Sequence, residues 1–154
     1  MIEYRLATAD DIAELVSVRA EFLCEDKTVS DSDRAVFCEG NADYFEYGFA
    51  DSSFVAWVAV LDGGIIATSG MTMYRIPPNL RYLKGKIGYI SNMYTKPAYR
   101  RRGIANELFV RLMKTAEQRG CDRLMLKASD MGKPLYEKHG FEMVDGMMSF
   151  YPKG

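Results

Sequence analysis

Three arginines followed by a glycine are the residues of this sequence best suited to binding chemistry. Positions 100–103 read R-R-R-G, and apolar residues then recur at helical spacing: Ile104, Leu108, Leu112 and Ala116. The first turn of a helix exposes N–H groups without internal partners and carries partial positive charge, so it can bind phosphate. Gly103 lets a ligand approach the backbone closely, and arginine supplies fork-shaped donors. These features predict a diphosphate site, although the same four residues alone also fit a solvated loop.

The wider sequence resembles the GCN5-related N-acetyltransferase (GNAT) superfamily. The segment Y-R-R-R-G-I-A at 99–105 contains R-x-x-G-x-A and resembles the superfamily's acetyl-CoA pyrophosphate signature. Downstream, L-Y-E-K-H-G-F at 135–141 resembles its second recurring block, and Y-R-L-A-T-A-D-D-I at 4–12 resembles its usual opening. The resemblance covers nearly the whole chain. Neither a Walker loop nor a three-glycine dinucleotide fingerprint is present.

The resemblance implies an acyl-CoA-dependent N-acyltransferase that uses acetyl-CoA as its co-substrate and needs no metal. It implies that the main chain at 93–95 binds the pantetheine arm and the acetyl carbonyl, and that N–H groups at 101–106 cradle the pyrophosphate. Tyr136 matches the general acid that protonates the sulfur, whereas Ser129 stands where many members have a longer Asn. The implied cofactor-binding residues are Met93, Tyr94, Thr95, Arg100, Arg101, Arg102, Gly103, Ile104, Ala105, Asn106 and Ser129.

The general base is not identified by the sequence. Some members of the superfamily carry a glutamate on the central strand, but here the corresponding residues are Tyr89, Ser91 and Asn92. A water chain or a carboxylate between positions 25 and 46 would have to accept the proton of the amine. His139 precedes Gly140 at a predicted helix end, where a cation also suits the helix dipole, so we do not assign it as the base.

Composition fits one globular enzyme domain spanning residues 1–154. The apolar content is 48% and the net charge is −1, so bulk charge predicts no nucleic-acid partner. No apolar run approaches the ~18 residues of a membrane span, and the N-terminus lacks a signal-peptide pattern. Three cysteines without a C-x-x-C motif, and a single histidine, argue against a zinc site and favour a reducing cytoplasm.

The elements that would position these residues follow an α/β pattern. Strands are predicted at 2–6, 53–61, 65–76, 87–95 and 122–127, with a hairpin turn at 62–64 and a bulge or close approach at Gly70. Helices are predicted from residue 12 to 23, from 33 to about 49 with a break or bend near Gly40, from 104 to 116, and from 134 to 139. A closing hairpin is predicted at 141–144 and 147–151, around Asp145 and Gly146. The strand–helix–strand unit from 87 to 127 predicts a right-handed parallel crossover, with the ligand at the carboxyl ends of its two strands.

The predicted fold is therefore a mixed, mostly antiparallel sheet with one parallel strand pair, which the resemblance implies is splayed, flanked by helices. Arg19 is either the charged edge of the first helix or faces the substrate cleft, and we favour the edge. The aromatics Phe37, Tyr44, Phe45 and Tyr47 either line the acceptor wall or pack between helix and sheet, and packing is favoured for each.

The predicted function is transfer of an acetyl group from acetyl-CoA to the primary amine of a small molecule or amino acid. The alternatives are a protein acetyltransferase acting on lysine or N-terminal amines, and a non-catalytic CoA-binding sensor, against which Tyr136 argues. Exposed hairpin edges could pair across a two-fold axis, so the sequence also allows a homodimer.

Overall fold

The computed structural model describes residues 1–24, 27–144 and 146–153. Its sheet contains β1 (Glu3–Leu6), β2 (Phe54–Leu61), β3 (Gly64–Arg75), β4 (Lys86–Thr95) and β5 (Arg123–Leu126). Its helices are α1 (Ile12–Cys24), α2 (Asp31–Ala50), α3 (Ile104–Gln118) and α4 (Lys133–Lys138). The strands lie in the order β1-β2-β3-β4-β5; every neighbouring pair is antiparallel except β4 and β5, which are parallel. The predicted mixed sheet with one parallel pair is confirmed.

Two apolar cores cover the two faces of the sheet. On one face, α1 and α2 bury Leu15, Val18 and Phe45 against side chains of β2 and β3. On the other face, the apolar stripe of α3 is buried, including Phe109 and Leu112. Full burial of each such side chain contributes about 1.5–3 kcal/mol, so the helices are held mainly by their apolar faces. β2 supplies residues to both cores, which explains its nearly continuous apolar sequence.

The parallel strands pair only over the first half of β4. The register runs from Ile87 opposite Arg123 to Ile90 opposite Leu126, where β5 ends while β4 continues to Thr95. On the other side of β4, the register with β3 shifts between Thr68 and Gly70. The predicted irregularity at Gly70 is therefore confirmed. The separation of the two strands creates an opening beside residues 91–95 of β4.

The bulge is anchored at Asn92. This residue has a φ of 57° in the left-handed region, and its carbonyl accepts a 2.6 Å hydrogen bond from Thr68 Oγ1. Gly70 lies close by, and a Cβ there would stand 3.1 Å from the Phe54 ring and 3.3 Å from Asn92 Cβ. Bulges often bend a strand next to an active site, and here the bend lies at the start of the opening.

Two features of the predicted secondary structure are wrong. α2 is continuous through Gly40, because nineteen other helical positions and its sheet contacts outweigh the roughly 1 kcal/mol cost of one glycine. Residues 141–144 and 146–153 form no strand, and Asp145 of the predicted turn lies outside the described residues. Their apolar side chains are largely exposed, with Met148 at 94% and Phe150 at 86%, so no surface supports the pleat that their sequence favours.

Candidate active site

A cavity of about 440 Å³ lies where β4 and β5 diverge. Its walls come from the end of β4, the first turn of α3, and the segment from Ser129 through the start of α4. It brings together all of the predicted cofactor residues except Arg102, together with Tyr136. Sequence reasoning did not assign five further lining residues; two of them lie within the quoted motifs and the other three carry no recognisable chemical signal. These residues are Tyr99 and Leu135 in the motifs, and Phe22, Met131 and Gly132 outside them.

The β4 side of the cavity contains a buried polar atom without a partner. Thr95 Oγ1 makes no hydrogen bond to any part of the chain that the structure describes. A buried hydroxyl left unpaired costs about 1–3 kcal/mol, so a ligand that hydrogen-bonds to it would recover that energy. The neighbouring Tyr94 is 7% exposed and packs on Phe22, with 5.2 Å between ring centroids.

The arginine-rich turn has the backbone geometry of an anion-binding site. Arg101 and Gly103 have φ values of 64° and 78°, whereas Arg102 between them does not have a positive φ, so the sign of φ alternates along the turn. Such alternation gathers successive N–H groups into a concave nest. The first intrahelical bond of α3 donates from Glu107 N to Gly103 O, which leaves the preceding N–H groups of the first turn without an intrahelical acceptor. A Cβ on Gly103 would meet no atom within 4 Å, so the space in front of this turn is open.

The three arginines occupy different positions. Arg100 Nε donates a 2.9 Å hydrogen bond to Thr95 O, and its guanidinium lies 5.5 Å from the Tyr94 ring, so it ties the turn to the end of β4. Arg102 does not line the cavity; its Nη2 donates to Ala98 O at 3.1 Å. The Arg102 side chain therefore points away from the cavity, and the binding of pyrophosphate by the backbone N–H of Arg102 stays a prediction.

Tyr136 lies at the other wall of the cavity with its ring in the α3 core. It is 7% exposed, and its ring centroid lies 5.3 Å from that of Phe109. Burial raises the pKa of the phenol above its ordinary value of 10.0, so the hydroxyl stays protonated at neutral pH. Gly132 makes room for it, because a Cβ there would stand 3.1 Å from the Tyr136 hydroxyl oxygen. The geometry thus presents a neutral O–H donor at the cavity wall.

Two short contacts stabilise this wall. Gly132 N donates to Ser129 Oγ at 3.1 Å, so the Ser129 side chain already helps to turn the chain into α4. His139 Nε2 lies 2.8 Å from Asn106 Oδ1, and the imidazole packs on Phe109 at 5.3 Å between ring centroids. The contacts with Asn106 and Phe109 position the His139 ring between α4 and the first turn of α3.

Arg19 of α1 is half-buried and extends toward Asn92 of β4. Its Nε donates to Asn41 Oδ1 at 2.7 Å, and its Nη1 donates to Asn92 Oδ1 at 2.6 Å. Arg19 is not among the residues that line the cavity, so its role at the edge of the stripe or toward the substrate cleft stays a prediction. Packing is confirmed for Phe45, which is 1% exposed, whereas Tyr47 is 78% exposed and lines no wall.

Carboxylates are absent from the residues that line the cavity in the described part of the chain. Glu25, one end of the range from which a base could come, lies outside the described residues. Within the described ranges no group of three or more His, Cys, Asp or Glu side chains is placed to bind a metal ion. No described helix is long and apolar enough to cross a membrane.

Comparison with known proteins identifies relatives across nearly the whole chain. Residues 18–141 match the acetyltransferase (GNAT) family. A predicted acetyltransferase from Clostridium acetobutylicum, crystallised with acetyl-CoA, is 34% identical, with a TM-score of 0.90 over 98% of this chain and 96% of that one. A GCN5-related N-acetyltransferase from Ralstonia eutropha JMP134 is 28% identical, with a TM-score of 0.86 over 98% and 99% of the two chains.

A shorter match connects the chain to a curated enzyme. Over 62 residues it is 31% identical to the glucosamine 6-phosphate N-acetyltransferase of Trypanosoma brucei brucei, and this match spans 40% of this chain and 42% of the relative.

Proposed function

The chain belongs to the acetyltransferase (GNAT) family of acyl-CoA-dependent enzymes, and we propose that it transfers the acetyl group of acetyl-CoA directly to the primary amine of a small molecule or amino acid. The observation that carries this proposal is the cavity at the divergence of β4 and β5. There the nest at 101–103, the buried Thr95 hydroxyl and the Tyr136 phenol line one continuous space.

The lining residues suit the two ends of acetyl-CoA. In this proposal the N–H groups at 101–106 bind the pyrophosphate, because a nest at a helix N-terminus combines open donors with partial positive charge. The main chain at 93–95 binds the pantetheine arm and polarises the acetyl carbonyl. The unpaired Thr95 Oγ1 supports a polar ligand at this position. Ser129 also lines the cavity, but its side chain is shorter than that of an Asn and reaches less far toward the ligand.

The reaction then needs three proton movements: two from the acceptor nitrogen and one to the departing sulfur. The acceptor nitrogen attacks the thioester carbonyl carbon, the C–S bond breaks, and the amide forms. An ammonium of pKa ~10.4 must first lose a proton, and in the absence of a lining carboxylate among the described residues we assign that step to water. The Tyr136 O–H protonates the departing sulfur, and its raised pKa keeps it a donor at working pH. The nitrogen loses its second proton as the amide forms, and that proton returns through water to the Tyr136 oxygen, so the phenol is restored.

A small acceptor is supported by the wall that α1 and α2 form beside β4. Arg19 reaches from α1 to Asn92, and the Tyr44 hydroxyl of α2 hydrogen-bonds to Thr72 of β3. These contacts bring both helices down onto the sheet beside the bulge, which narrows the approach to the acetyl end. The name of the curated relative also indicates a small acceptor, glucosamine 6-phosphate. The free thiols Cys24, Cys38 and Cys121 support the proposed cytoplasmic location.

The test combines acetyl-CoA binding with CoA release. Gly103→Trp should abolish calorimetric binding of acetyl-CoA, since the side chain would fill the open space before the nest. Gly63→Trp is the matched control. Gly63 has a φ of 82°, a Cβ added there would likewise meet no atom within 4 Å, and the residue lies in the β2–β3 turn.

Wild-type protein and the Gly63 variant should release CoA thiol with a panel of small amines. Undiminished acetyl-CoA affinity in Gly103→Trp would remove this site assignment. Thiol release with lysine or N-terminal peptides alone would favour a protein acceptor, and binding without any release would favour a sensor.

A further inference from the structure

Arg19 occupies an unusual position for a cation. Its side chain is half-buried between α1, α2 and β4, and it is fixed by the side-chain oxygens of Asn41 and Asn92 at 2.7 and 2.6 Å. Both partners are neutral amides. A guanidinium has five N–H donors, and these two bonds use two of them, which leaves three. The Arg19 guanidinium is therefore held in a fixed orientation, but neither Asn side chain neutralises its charge.

No acidic side chain compensates this charge within residues 1–24, 27–144 and 146–153. The described ion pairs involve other residues, and both hydrogen-bond partners of Arg19 are uncharged. Burial lowers the pKa of Arg19, and among the described residues the Tyr44 phenol opposes this effect. Removing a cation from water is unfavourable unless an anion pairs with it. An anionic ligand at Arg19 would supply the missing partner.

The position of this charge ties it to the transfer site. Arg19 lies one turn before Phe22 on α1, and its partner Asn92 directly precedes Met93 on β4. Phe22 and Met93 both line the 440 Å³ cavity. The guanidinium thus stands next to the strand segment assigned above to the acetyl carbonyl, on the side of the sheet covered by α1 and α2.

A purely structural role would not require a charge. The Asn41 and Asn92 oxygens could be satisfied by a neutral donor, and even partial burial of an unpaired cation opposes folding. Arginine is instead the side chain whose planar fork matches a carboxylate or phosphate.

We propose that Arg19 is the anion-binding residue of the acceptor site, so that the amine substrate carries a carboxylate or phosphate group. This inference rests on the proposed N-acetyltransferase function and narrows its acceptor to anionic amines. Asn41 and Asn92 act as positioning residues that fix the guanidinium. A carboxylate and a phosphate would both be bound by the same guanidinium N–H donors, and the acceptor pairs in the test distinguish the two.

The test uses pairs of acceptors that differ only in the anionic group. L-alanine is compared with L-alaninamide, and glucosamine 6-phosphate with glucosamine. For each pair, kcat/KM is measured by CoA thiol release, and binding is measured independently by titrating the acceptor calorimetrically into the protein–CoA complex. The variants are Arg19→Met and Arg19→Lys, with Arg34→Met as the control, because Arg34 is an exposed arginine of α2.

We expect wild type to prefer one anionic acceptor over its neutral counterpart by about 10- to 150-fold, the value of a hydrogen bond to a charged group. Arg19→Met should reduce that preference to near unity in both assays, Arg19→Lys should retain part of it, and Arg34→Met should keep all of it. Which pair shows the preference identifies carboxylate or phosphate.

Three outcomes would overturn the inference. The first is equal use of anionic and neutral acceptors by wild type, which would leave the proposed function intact. The second is an equal loss of kcat/KM for the anionic and the neutral acceptor of a pair in Arg19→Met, which would show that Arg19 only supports the fold. The third is the absence of calorimetric anion binding to the protein–CoA complex. Anion binding that depends on Arg19 without any thiol release would instead support the anion site and contradict the proposed transfer.

Discussion

Replacing Tyr136 by Phe tests the assigned general acid with little structural disturbance. The ring keeps its contacts with Phe109 at 5.3 Å and Phe141 at 6.2 Å, and the lost hydroxyl makes no hydrogen bond to the described part of the chain. We therefore expect the free energy of unfolding to change by less than about 1 kcal/mol. If the phenol protonates the leaving sulfur, kcat should fall by roughly 10²–10⁴-fold. That loss corresponds to about 3–5 kcal/mol of transition-state stabilisation.

The measurement is single-turnover CoA release at saturating acceptor, with acetyl-CoA affinity determined separately by calorimetry. Affinity should barely change, because the hydrogen bond strengthens only as the thiolate forms. Tyr4→Phe is the matched control: burial also raises the pKa of Tyr4, which lies on β1, away from the cavity. Equal kcat in wild type and Tyr136→Phe, with chemistry rate-limiting, would refute the assignment, and Tyr89 or water would then be the next donor to test.

Further predictions concern the fold around the site. Asp11→Asn should lower the free energy of unfolding by about 1–3 kcal/mol, because Asp11 accepts two 2.8 Å bonds from Arg5. The Arg5 guanidinium lowers the pKa of the Asp11 carboxyl, so the ionised carboxylate should stabilise the fold fully above about pH 4. This stabilisation should be lost as pH falls through the lowered pKa, and urea denaturation of Asp11→Asn should not show that pH dependence. Gly48→Ala should cost about 1–3 kcal/mol, since its Cβ would stand 2.5 Å from Phe54 Cβ, whereas Gly40→Ala, with open space, should stabilise α2 by up to about 1 kcal/mol in the same urea titrations. The homodimer that the sequence allows has lost one of its supports, because residues 146–153 form no strand, and a monomer mass by light scattering at high concentration would contradict it.

Much of the cavity assigned to the cofactor could be predicted because its parts are close in the sequence. A strand, a short turn, Gly103 and an amphipathic helix occupy about thirty consecutive residues, so periodicity and turn chemistry determine their arrangement. The bulge at Gly70 could also be predicted, because a glycine inside an apolar strand marks a close approach. The motif around Tyr136 indicates its position at the cavity, and its role as an acid stays a prediction.

The features that could not be predicted from the sequence depend on distant partners. Arg19 and Asn92 are 73 positions apart, and no local pattern on α1 indicates that its arginine reaches the bulge of β4. The segments at 141–144 and 146–151 have strand-forming residues, but beyond Phe141, which packs on Phe109, their apolar side chains are exposed, and strand propensity without packing is weak.

The contact between His139 and Asn106 gives this protein a built-in spectroscopic reporter. The chain contains one histidine, so its imidazole protons give a single set of resonances in an NMR spectrum. The Nε2 atom of His139 lies 2.8 Å from Asn106 Oδ1 in the first turn of α3. The imidazole is tilted by 55° to the Phe109 ring with 5.3 Å between centroids, so the ring current of Phe109 displaces the histidine signal. A ligand that draws Asn106 toward a phosphate will shift this resonance, so occupancy of the helix N-terminus can be followed in the unlabelled protein, without a chromogenic assay or an added dye.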